Sequence, residues 1–91
     1  MLTQKRKTKM AFRNKDLSVL AYANGFTLWH YASDDNLEDI VKEGYFDQVY
    51  TLAGIGDIII INAIDTTQIM FMRSLKPHII LEEMGKRDES I

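Results

Sequence analysis

His30 with Asp34 and Asp35 is the nearest approach to a reactive group in this chain, an imidazole close in sequence to two carboxylates, the pairing that general acid–base chemistry uses. It lacks a nucleophile or an oxyanion donor at fixed spacing. The acidic run Asp34, Asp35, Asn36, Glu38 and Asp39 has the composition of a calcium loop. It lacks the alternating ligand spacing, the glycine at the bend and the closing glutamate. Gly54-Ile55-Gly56 has neither the third glycine nor the strand-before, helix-after setting of a nucleotide loop, so Gly56-Asp57 reads as a turn. Cysteine is absent, which excludes disulfides, thiolate metal sites and thiol catalysis. His30 and His78 fall on separate predicted strands and make no zinc signature. The residues therefore nominate no catalytic, metal-ligating or cofactor-binding set, and the expectation is a protein that is not an enzyme. An enzymatic role stays third in order, because small folds host sites that sequence does not display.

Two features bear on binding. Residues 1–15 hold Lys5, Arg6, Lys7, Lys9, Arg13 and Lys15 and no acid, a charge of +6 against −8 for the remainder and −2 overall. Such a basic arm fits a contact with nucleic acid or another anionic partner. It equally fits a solvated terminus, since it is short and carries no aromatic interleaving beyond Phe12. Nucleic acid is thus the alternative partner, not the favoured one. Tyr22, Trp29 and Tyr31 could form an aromatic platform for a sugar or a base, although such clusters more often serve as core or subunit contact. A small-molecule ligand is not indicated. The stretch after the basic residues has no apolar core of a signal peptide, and no window approaches a membrane span, so the expected location is cytoplasmic. Met10 opens the natural start of the folded unit, which makes residues 1–9 a candidate upstream extension.

These residues must be carried by strands. Leu17 to Ala23 and Phe26 to Tyr31 are rich in strand formers, and Asn24-Gly25 between them is a strong hairpin signal, because both positions of a type I′ turn need positive φ. Pairing Ala23 with Phe26 sets Leu20 opposite Trp29. A helical stretch follows, with Asp35 as N-cap, Glu38 at its third position, Leu37, Ile40 and Val41 at helical spacing and Gly44 as the stop. Tyr45, Phe46, Val49, Tyr50 and Ala53 suggest a second short helix. Ser74 to Pro77 reads as a turn before a last strand, His78 to Glu82. The expected fold is α+β and mainly β: two β-hairpins plus a C-terminal strand, one or two short helices between strands 2 and 3, arranged as a small sandwich or an open barrel. Residues 1–15 are expected as a flexible arm, 16–84 as one small globular domain and 85–91 as a polar tail.

The second hairpin, Asp57 to Arg73, is apolar on both faces. If Asn62 pairs with Gln68, Ile59 and Ile61 share a face with Ile69 and Phe71, and Ile58 and Ile60 share the other with Met70 and Met72. Residues 63–67 are then the loop. The Ile59, Ile61, Ile69, Phe71 face is the expected core. The Met face is either covered by a helix of the same chain or turned toward another subunit, and methionine suits both. A domain of about 60 to 75 residues buries only about 60% of its unfolded surface, and with no cysteine here oligomerisation is the stabilising device left open. The candidate oligomer interface is Ile58, Ile60, Met70 and Met72, with Trp29 and Tyr31 as a second contact.

Leu17 to Tyr31, followed by Gly44-Tyr45-Phe46, Leu52, Gly56-Asp57 and Asn62, resembles a group of small bacterial proteins that occur among phage and prophage structural genes. The likeness spans residues 10–63 and carries no catalytic meaning. It implies a virion component such as a capsid-decoration or fibre-associated protein, built as a symmetric homo-oligomer and assembled into a virion-like particle. Beyond Asn62 the chain departs from the pattern, so it implies no shared role for the last strands.

Overall fold

The computed structural model describes residues 11–84. Lys5, Arg6, Lys7, Lys9 and the start at Met10 lie outside the described residues, as does the tail from residue 85. The strands are β1 (Leu17–Ala23), β2 (Phe26–Ala32), β3 (Ile58–Asn62), β4 (Thr67–Ser74) and β5 (Ile80–Glu83), and the one α-helix among the described residues, α1, covers only Leu37–Ile40. The fold is α+β and mainly β, as the composition and turn signals indicate. All five strands lie in one open sheet in the order β1-β2-β3-β4-β5. Among the described residues a second sheet is therefore not formed, and the sheet does not close.

Neighbouring strands are antiparallel except β2 and β3, which run parallel. A parallel pair needs a crossover, and residues 33–57 supply it over one face of the sheet. That layer brings Ile40, Phe46 and Val49 onto Trp29, Tyr31, Ile59, Ile61, Met70 and Met72, with Phe12 and Ile79 closing the core. Phe12 stacks on Tyr31 at 5.4 Å between ring centroids, so the packed body begins before Asp16.

The first hairpin pairs Ala23 with Phe26 as expected, but a bulge between Val19 and Ala21 places Val19, not Leu20, opposite Trp29. Only Gly25 has positive φ, at 110°, and Asn24 does not, which is the requirement of a type II turn and not of I′. The expected helix is a single turn whose N-cap is Asn36. Asp35, the expected cap, is drawn inside instead, and the Leu37 N–H donates to Asp65 Oδ1 at 2.9 Å from the β3–β4 loop. The second expected helix shrinks to a 3₁₀ turn at Asp47–Val49. His78 precedes the last strand, which runs Ile80–Glu83.

The larger correction is in the second hairpin. Its loop is residues 63–66, closed by the Ala63 N–H on the Thr66 carbonyl at 2.8 Å. Thr67 therefore joins β4 opposite Asn62, and Ile59 pairs with Met70, Ile60 with Ile69 and Ile58 with Phe71. One residue less in the loop turns every β4 side chain over. Met70 and Met72 enter the core, Met72 with 1% of its surface exposed, and Ile69 and Phe71 leave it. Of the six residues nominated for a subunit contact, Met70, Met72, Trp29 and Tyr31 are buried by this chain itself. Ile58 and Ile60 are on the other face, as expected.

Candidate functional site

Three polar clasps hold the crossover to the sheet. Asp57, 2% exposed, accepts the Thr27 N–H, the Trp29 indole N–H and the Gly54 N–H, each at 2.9 Å. Thr27 lies one residue before the parallel ladder begins at Leu28, so the carboxylate takes the place of a missing β3 carbonyl. Trp29 carries an obligate donor into the core, and such a donor needs an acceptor. Asp57 is that acceptor, a role the turn reading of Gly56-Asp57 did not contain.

The second clasp is a chain of hydroxyls. The Arg13 N–H donates to Tyr31 Oη at 3.0 Å, Tyr31 donates to Tyr45 Oη at 2.9 Å, and Tyr45 donates to Asp35 Oδ2 at 2.7 Å. Burial first, and the hydrogen bond that Tyr45 donates to Asp35, hold the Tyr45 phenol well above its ordinary titration range. Asp35 Oδ1 is the buried side-chain oxygen without a partner among the described residues.

The third clasp is on the surface. His78 Nδ1 donates to Asp47 Oδ2 at 2.7 Å, and the Ile79 N–H donates to Asp47 Oδ1 at 2.8 Å. Their hydrogen bond lowers the Asp47 carboxyl and raises the His78 imidazole from their ordinary values. Gly44, with φ at 89°, lets the chain pass close by: a Cβ there would meet Asp47 Oδ2 and His78 Nδ1, each at 3.4 Å.

His30 and Asp35, neighbours in the sequence, are not brought together as an acid–base pair. Asn62 Nδ2 donates to His30 Nε2 at 2.7 Å, and Asn62 Oδ1 accepts from the Thr67 hydroxyl at 2.7 Å, whereas Asp35 is engaged with Tyr45. Of the acidic run, Asp39 pairs with Lys42 at 3.2 Å. No three His, Asp or Glu side chains converge on one point among the described residues. The aromatic trio is split too: Trp29 and Tyr31 are core, and Tyr22 is 79% exposed.

Arg13 and Lys15, the described part of the basic arm, line a polar groove of about 350 Å³ with Asp16, Ser33, Asp34 and Asn62 at the C-terminal ends of the parallel strands. The acids balance the bases there, and Arg13 Nε sits 3.6 Å from Asp16. A more apolar groove of about 620 Å³ lies between Tyr50 and the Leu75-Lys76-Pro77 turn, with Lys76 Nζ 5.3 Å from the centre of the Tyr50 ring.

The most extensive unsatisfied feature is the sheet face opposite the crossover. Leu28 pairs with Ile58, Ile58 with Phe71 and Ile60 with Ile69, so five apolar side chains lie side by side across three strands. Ile69 is 46% exposed, the other four are half-buried, and none of the five packs on the core. No described element lies over them. His30, Asn62 and Thr67 border this patch at one end, and the Arg73–Glu82 ion pair at 2.9 Å borders it across the sheet. No protein-family model, curated protein or solved structure matches the chain. No helix among the described residues is long and apolar enough to cross a membrane.

Proposed function

We propose that this chain is a structural or assembly protein that forms a symmetric homo-oligomer through the open face of its sheet. The observation that supports this reading is the row Leu28, Ile58, Ile60, Ile69 and Phe71, apolar and uncovered by any described element. Burying such a row is favourable at about 25 cal/mol for each Å² of apolar surface removed from water. Among the described residues the charges that border this patch, Arg73 and Glu82, pair with each other, so they do not oppose the meeting of two copies. A virion component, the role implied by the resemblance over residues 10–63, needs self-association of this kind.

Light scattering on the full chain at micromolar concentration tests the reading. A multimer is expected, and Phe71→Lys is expected to split it while the subunit stays folded, because closing a subunit contact over a lysine strips its ammonium of water. Met70, a residue the sequence suggests for the contact, is in the core and does not report on it. A folded monomer in the unsubstituted protein, or a Phe71→Lys variant with unchanged mass, overturns the proposal.

A further inference from the structure

The two edges of the sheet are built differently. β5 is the short edge, four residues, and carries Glu82 and Glu83. Self-pairing of β5 would set acids beside acids. β1 is seven residues, Leu-Ser-Val-Leu-Ala-Tyr-Ala, with no charge, no proline and no glycine. It pairs with β2 on one side, and no described strand pairs with the other. Its middle residues are unprotected: Val19 and Leu20 are each 53% exposed, and Tyr22 more so, while Leu17 packs against the core. From Leu17 to Ser33 the chain holds no Asp, Glu, Lys or Arg at all, although 26% of its residues are charged.

An uncharged, apolar strand of that length with free backbone donors and acceptors is a template for another strand. Natural edges of this kind are kept single by charge, proline, brevity or a bulge. β5 shows charge and brevity, and β1 shows only the bulge at Leu20. The bulge at Leu20 divides β1 into two ladder segments, which limits the registers a partner can take.

We propose that β1 pairs antiparallel with β1 of a second copy across a twofold axis, joining two five-stranded sheets into one ten-stranded sheet. A second copy is the occupant because a twofold pairing of this hairpin sets no like charges opposite each other, and the isologous contact needs no feature beyond the strand itself. The pairing extends the open face of one subunit into that of the next. The inference rests on the proposed assembly role only in sharing its occupant, since edge and face are separate surfaces. With both in use, two ten-stranded sheets stack face to face and four copies close the assembly.

Light scattering on the full chain separates the two contacts. Val19→Lys with Leu20→Lys is expected to halve the mass of the assembly, as is Phe71→Lys alone, and the three substitutions together leave monomers. Val19 and Leu20 are outside the packed core, so the lysines leave it intact. An edge variant with unchanged mass overturns β1 pairing and leaves the face contact standing. A Phe71→Lys variant of unchanged mass, with an edge variant that falls to monomer, supports β1 pairing and overturns the face contact. Amide exchange on the unsubstituted chain gives a readout free of folding defects: protection in Leu17–Ala23 rises with protein concentration if β1 pairs. Protection independent of concentration overturns the inference.

Discussion

The two faces of the sheet are built from the same kinds of residue and have opposite fates. On one, Ile59, Ile61, Met70 and Met72 are dry beneath the crossover, and on the other Ile58, Ile60, Ile69 and Phe71 have no described element above them. Alternation of apolar with polar side chains normally says which side of a strand is inside. In β3, four consecutive isoleucines remove that signal. Inside and outside were decided by which face the crossover reached.

The sharpest way to break this contrast is to charge two sequence neighbours that belong to opposite faces. Met72→Lys places an unpaired ammonium in the core and is expected to cost on the order of 4 kcal/mol or more, enough to unfold the subunit. Phe71→Lys is expected to cost the isolated subunit less than about 1 kcal/mol. Urea melts of both variants, under conditions where the subunits are dissociated, make the comparison, and equal losses would mean that the faces are not distinct.

The clasps on the covered side come next. Asp57→Ala strands the Thr27, Trp29 and Gly54 donors and is expected to lower stability by about 3 kcal/mol, with Asp57→Asn losing less. The same melts check it, and a neutral Asp57→Ala would show that water reaches all three groups. Asp65→Ala removes the acceptor for the Leu37 N–H, the substitute cap of α1, and is expected to cost about 1 kcal/mol.

The smallest effect is the surface clasp, read as pH dependence. His78 has its folded pKa raised above 6.5, so its contribution is complete below that pH and is lost as pH rises through the raised value. Asp47 has its folded pKa lowered below 3.8, so its contribution is present above 3.8 and is lost as pH falls through the lowered value. The contact thus stabilises most between these two ordinary values. His78→Ala is expected to remove the decline above pH 6.5 from the thermal midpoint, and a profile identical to that of the unsubstituted chain would refute the assignment.

Local chemistry was legible wherever short-range rules act alone. The Asn24-Gly25 hairpin, the helical turn before Gly44, the connection that holds Pro77 and the five strands all follow from residue types and spacing, although Ser74, expected in the turn, ends β4. Errors arose where a distant group competed with a local one. Asp35 reads as a helix cap, but Tyr45 across the core claims it, and Asp65 from another loop caps α1 instead. Asp57 reads as a turn residue, and the indole of Trp29 makes it an internal acceptor. A buried tryptophan demanding a partner was the available signal.

By itself, the sequence determined that this chain builds a mainly β domain with more apolar strand surface than one layer of short helical turns covers, and that cysteine plays no part in holding it together. Tertiary structure alone decided that β2 and β3 run parallel, that a four-residue loop turns Met70 and Met72 inward, and that Ile69 and Phe71 face outward. The physical reason is the two-residue period of a strand. When both faces are apolar, a shift of one position changes no local preference, and only packing against the crossover separates the two registers.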